Sequence, residues 1–181
     1  MMAATVSTRE RRNYWISLAL LAVVLPATIL ISSGNGLLDL LRAATSEPII
    51  VPSGATQDHA GAGWRLTALS RLPGTVAGSA VVLAEFEAVV EDPARLRESI
   101  PCNVALSDNQ GRRWQPVFLS ASVVREARPD AAGKPSCGNF VDSTAGVTIA
   151  MAESFVVPQD VKDLRLSISM AGASPEMLLF E

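Results

Sequence analysis

The sequence predicts an all-β protein, an antiparallel β-sandwich carried behind a single N-terminal membrane-spanning helix. Three observations predict it. Residues 14–33, YWISLALLAVVLPATILISS, hold no formal charge, and about 20 helical residues at about 1.5 Å each cross the roughly 30 Å hydrocarbon layer. From Pro48 onward the apolar positions recur with a period of two, as half-buried strands require. Turn residues then cut this part into seven or more short strands, the pattern of two packed antiparallel sheets.

Length and charge narrow the function. The 181-residue chain divides into a tail (1–13), the span (14–33), a juxtamembrane helix or linker (34–47) and one exported domain (48–181), the last close to the usual single-domain size. A formal net charge of −3, with only two lysines, Lys134 and Lys162, excludes the clustered cations that displace phosphate counterions from nucleic acid. The membrane is the first partner expected, and another envelope or membrane protein the second; oligomeric state is left open.

Arg9, Arg11 and Arg12 precede the span, whereas Arg42 stands against Asp39 and Glu47 beyond it. The positive-inside rule therefore leaves the N-terminus in the cytoplasm and exports the rest. Tyr14 and Trp15 fall at headgroup depth, where amphipathic rings settle. Pro26 removes a backbone donor and predicts a kink. A cleaved signal peptide is the competing reading, with Ser32-Ser33-Gly34 as its small-residue exit. The apolar run exceeds the 7–15 residues of an ordinary signal core, which favours a retained anchor. Leu37, Leu38 and Leu41 then share one face of a short helix, suited to the outer leaflet, to another membrane protein or to a stalk.

In the domain, strands are expected over Ile49–Val51, Trp64–Leu69, Ala80–Val90, Val117–Val124, Val147–Met151, Phe155–Val157, Leu164–Met170 and Met177–Phe180. Cys102, Val104 and Leu106 lead through Asp108-Asn109-Gln110-Gly111 into Arg112–Phe118, a hairpin with a Gly-containing turn. Asp92 before Pro93 marks the start of a short helix, Pro93–Glu98. Ala127–Asn139, rich in Pro, Gly, Asp and Ala, reads as a long loop. The two cysteines, Cys102 and Cys137, are an even count in an exported domain and point to one disulfide holding that loop; two unpaired buried thiols are the alternative.

Several of these segments together resemble a known group. The strand with acidic outward residues over Val81–Asp92, the strand ending in Ser107-Asp108-Asn109-Gln110-Gly111 with Trp114 after it, and Phe155-Val156-Val157-Pro158 leading to Leu164-Arg165-Leu166-Ser167-Ile168 are similar to the telokin-like, immunoglobulin-like exported domains that bacteria attach to a span or lipid anchor. The resemblance covers most of 64–170. It implies an immunoglobulin-like sandwich outside the cytoplasm and transfers no catalytic residue. Cys137 departs from it by lying in a loop, so an antibody-type inter-sheet disulfide is not implied.

Chemistry-bearing patterns are sparse. His59, the single histidine, sits among small residues and reads as an exposed loop residue, without the partnered nucleophile a catalytic base needs. Glu85 and Glu87, two apart on a strand, share a face; they read as paired carboxylates or, more simply, as a solvated face. Trp64 and Trp114 could line a groove, or pack in the core. No cofactor and no metal site is expected. Two functions follow: a non-enzymatic tethered recognition or accessory module, or an envelope ligand-binding protein or hydrolase with a cleft at Trp64, Trp114, Glu85 and Glu87.

Overall fold

A computed structural model describes residues 47–74, 76–117, 121–140 and 143–181, together with Trp15, Ser17, Leu18, Leu20, Leu21, Val24 and Thr28. The chain divides into two compact units, Met1–Thr45 and Ser46–Glu181. In the first, the seven described residues are helical, Trp15 is exposed, and Thr28 Oγ1 donates to the Val24 carbonyl one turn back. Among the described residues no helix is long and apolar enough to cross a membrane. Most of the expected anchor, including Tyr14 and Pro26, lies outside the described residues, as do Arg9, Arg11, Arg12, Leu37, Leu38 and Leu41.

The second unit is a two-sheet sandwich. Its elements are β1 (Glu47–Val51), β2 (Thr56–His59), β3 (Ala62–Pro73), β4 (Ser79–Val90), α1 (Pro93–Glu98), β5 (Cys102–Ser107), β6 (Arg113–Trp114), α2 (Ala121–Ala127), α3 (Pro129–Ala132), β7 (Thr148–Pro158), β8 (Arg165–Met170) and β9 (Glu176–Phe180). One sheet runs β1-β9-β8-β5-β6 and the other β2-β3-β4-β7. Every described pairing is antiparallel except β1 with β9, which is parallel. The expected purely antiparallel sandwich is corrected at that edge.

Alternation builds the core. Ala80, Val82, Ala84, Phe86, Ala88 and Val90 turn one face of β4 inward, joined from β7 by Met151, Phe155 and Val157. Opposite them lie Leu106, Leu166, Ile168, Met170, Leu178 and Phe180. Trp64 is fully buried between Phe86 and Phe140, with ring centroids 6.4 and 6.1 Å away, and its indole N–H donates to the His59 carbonyl. Helix α1 carries the chain from β4 into the other sheet. It begins at Asp92, whose carboxylate accepts from the N–H groups of Ala94 and Arg95, as the Asp-Pro pair predicts.

Three expectations give way. The strand expected over Val117–Val124 is not formed by its described residues: Val117 donates its N–H to Ser154 on the β7 edge, and Ala121–Ala127 is helical. The stretch supplies Ala, Arg and Glu, which favour helix, and burying Val124 against Leu83 and Val81 outweighs the strand preference of its valines. Residues 127–139 hold α3 as well as loop. Finally, the two segments expected around 147–157 are one strand, β7, paired with β4 along its length.

Candidate functional site

The outer face of the β3-β4-β7 layer is covered. In β4 the odd positions Val81 and Leu83 are as buried as the even ones, because α2 and α3 lay Val124 and Ala131 over them to form a second apolar cluster. After α3 the chain turns to the edge of β7, where Pro135 accepts the N–H of Ala152. It then passes inward, so that Phe140 is buried against Trp64 in the main core. Residues 121–140 thus clasp the β7 edge from outside to inside. The Cys102–Cys137 disulfide, with Cα atoms 5.7 Å apart, fastens the clasp to β5 of the opposite sheet.

Ion pairs fix its outer part. Glu85, its side chain only 6% exposed, holds Lys134 Nζ at 2.8 Å and Arg128 Nη2 at 2.9 Å. Arg128 also makes a two-point contact with Asp130, at 3.1 and 2.9 Å. The Arg128 hydrogen bonds hold the Asp130 carboxyl below its usual range, and Asp130 and Glu85 hold the Arg128 guanidinium charged. Desolvating a carboxylate is costly unless cations and hydrogen bonds satisfy it; here two cations do so from one side.

Between the clasp and β7 lies a groove of about 220 Å³. Leu83, Val124, Ala131 and Ala152 give it an apolar floor, with Pro116 and Val117 along one wall. Lys134, Ser136, Glu153, Ser154 and Arg125 supply its polar atoms. Glu153 occupies the inward row of the edge strand, between Met151 and Phe155, where burial pushes its carboxyl upward and the N–H of Cys137, which donates to it at 2.9 Å, pulls it partly back. An inward charge on an edge strand also discourages edge-to-edge aggregation.

A second concavity of about 400 Å³ lies between α1 and the start of β9, lined by Arg95, Glu98, Ser99 and Gly172–Glu176. Beside it, His59 is buried rather than exposed as expected. Its Nδ1 stands 3.8 Å from Glu176, and its Nε2 has no hydrogen-bond partner among the described residues. Burial lowers its pKa, Glu176 opposes that and Arg95 adds to it. His59 enters the core because it closes the β2–β3 hairpin, whose Gly61 packs against α1.

The predicted site residues are dispersed. Trp64 is in the core and does not line a groove. Trp114, half-buried on β6 in the other sheet, lies under the Arg112 guanidinium at 5.6 Å. Glu85 is neither a free carboxylate nor part of a solvated face, while Glu87 pairs with Arg65 at 2.6 Å. Among the described site residues, Cys102 and Cys137 meet as expected. Glu85 and Glu87 do share the outer face of β4, but α2 and α3 cover that face at Glu85, and the unbroken run Ala80–Ala84 carries the signal: continuous apolar residues mark a strand covered on both faces.

No family model matches the sequence, and no curated protein matches it. Among solved structures the chain is similar to MPT63, a secreted protein of Mycobacterium tuberculosis, at 16% identity over 75% of this chain and 98% of that one, with a TM-score of 0.46. It is similar to an uncharacterized β-sandwich protein of Clostridium difficile at 11% identity over 75% and 94% of the two chains, with a TM-score of 0.43. A conserved hypothetical protein of Bacillus anthracis follows at 9% identity over 66% and 89%, with a TM-score of 0.44.

Proposed function

We propose that this protein is a single-pass, membrane-tethered module with an extracytoplasmic β-sandwich, and that it recognises or accompanies another envelope or membrane protein without chemistry of its own. The observation that carries the reading is the clasp: a 20-residue excursion (121–140) ends on a disulfide and frames an amphipathic groove on the outside of a sheet. A disulfide spanning the two halves of a small domain suits an oxidising compartment, in agreement with the arginines before the apolar run. The strand order supports an immunoglobulin-like sandwich of the telokin-like kind. β3-β4-β7 faces β9-β8-β5-β6, in the places of strands A-B-E and G-F-C-C′ of that fold.

The rival reading, a ligand-binding or hydrolytic cleft at Trp64, Trp114, Glu85 and Glu87, loses its support because the two tryptophans belong to opposite sheets and Glu85 is sealed beneath the clasp. Affinity purification of the full chain from native membranes, with and without cross-linking, tests the recognition reading. A stoichiometric companion is expected; recovery of the protein alone under both conditions removes it. Protease protection in spheroplasts checks the orientation, with digestion of the sandwich expected from outside only.

A further inference from the structure

The groove has features that select one kind of occupant. Its volume of about 220 Å³ falls below the roughly 300–1,000 Å³ of pockets that enclose a whole small ligand and leaves room for one anchor side chain of a partner. Strand addition is closed off here, since the Ala152 N–H and the Ser154 carbonyl on the β7 edge are already bonded to Pro135 and Val117. A partner must therefore enter by a side chain. The floor of Leu83, Val124, Ala131 and Ala152 is aliphatic, so the entering group is aliphatic too.

Charge at the rim sets what stands beside it. Lys134 is committed to Glu85, and Glu153 is half-buried with an amide donor on its carboxylate. Arg125 is exposed at the groove and makes no ion pair among the described residues. An exposed guanidinium without a partner is complementary to a carboxylate in two-point geometry.

We propose that the groove receives an aliphatic side chain from a partner protein, flanked in that partner by an acidic residue that meets Arg125. The proposal rests on the recognition reading above and gives it a site and a partner chemistry.

The test uses the full chain in nanodiscs and the capped hexapeptide Gly-Gly-Leu-Asp-Gly-Gly, with versions carrying Lys for Asp or Gly for Leu. Methyl signals of Ala131, Ala132 and Ala152 report occupancy. Saturable shifts with the Leu-Asp peptide are expected, about fivefold tighter than with Leu-Lys and absent when Leu is replaced. Arg125→Glu, at an exposed position, reverses the charge preference, and Ala132→Trp, also exposed, blocks the shifts. Equal shifts from all peptides, none from any, or an unchanged preference in Arg125→Glu overturns the proposal. If the companion still co-purifies with Ala132→Trp, the groove assignment falls and the recognition reading stands; if wild type captures none, the recognition reading itself fails.

Discussion

Glu85 and Lys134 meet at 2.8 Å across the seam between β4 and the clasp, far apart in sequence and almost sealed from water at the carboxylate. The pair is asymmetric: Glu85 has two cations, whereas Lys134 has one acid and remains partly exposed. Removing the acid therefore strands more charge than removing the amine. Glu85→Ala is expected to cost about 2–3 kcal/mol, and Lys134→Met about 1 kcal/mol, because Arg128 remains for Glu85. Urea unfolding of both variants checks the order; equal losses would show that Arg128 does not share the load.

The disulfide makes a larger and more local prediction. Cys102 and Cys137 are 35 residues apart in sequence, and closing a loop of that length stabilises by about 4 kcal/mol in the chain-entropy model. Cys102→Ala with Cys137→Ala is expected to lower stability by roughly that amount. In hydrogen exchange, the Ala152 amide, bonded to Pro135 within the clasp, should lose protection before the β3–β4 amides do.

Acidification should pull on stability in two directions. Burial holds the folded His59 pKa below the ordinary 6.5, so the unfolded chain takes up the proton first. The stability tied to neutral His59 is whole above about pH 6.5 and drains as pH falls through the lower folded value. Glu153 behaves oppositely. Its folded pKa is raised above 4.5 by burial, so a penalty present at neutral pH is relieved as pH drops through the folded value toward 4.5. Unfolding free energies from pH 7.5 to 5 should show a downward slope that His59→Leu flattens and Glu153→Gln steepens. A His59→Leu profile parallel to wild type would remove His59 as its source.

Gly61 is expected to be intolerant of any side chain. Its φ is +85°, and a Cβ there would lie 2.6 Å from the Asp92 carbonyl oxygen and 2.9 Å from the Leu96 nitrogen, both backbone atoms. Its own carbonyl accepts the N–H groups of Glu91 and Asp92, so neither the turn nor α1 can withdraw freely. Gly61→Ala should cost about 2–3 kcal/mol, measured as a drop in thermal midpoint. Gly54, equally left-handed at φ +77° but with open space around it, should lose clearly less on the same change.

Local signals were readable in the sequence wherever one face of an element decides its structure. Asp92-Pro93 located α1 because a cap acts within one turn. The alternation of Leu166, Ile168 and Met170 located β8 because its inner face meets the core. What escaped was set by distant partners. Glu85 lies on the outer face as the alternation of its neighbours requires, yet it is buried there because Arg128 and Lys134 close over it from distant positions in the chain. His59 looked exposed because small residues flank it, and only the pairing of β2 with β3 buries it. Val123 and Val124 have strand propensity, but the uncovered outer face of β4 gave a helix there more area to bury.

The single parallel contact in the sandwich bears on how the domain is completed. Among the described residues β1, Glu47–Val51, pairs with one strand, β9, Glu176–Phe180. The first residues of the domain to emerge must therefore wait for nearly all the others before they can pair. The entropic cost of closing that interval rises only slowly with its length, but contacts so distant along the chain slow the search. A chain delivered from Glu47 onward would thus carry β1 as an unpaired strand until β9 has followed it, and the seam that closes last joins these two strands.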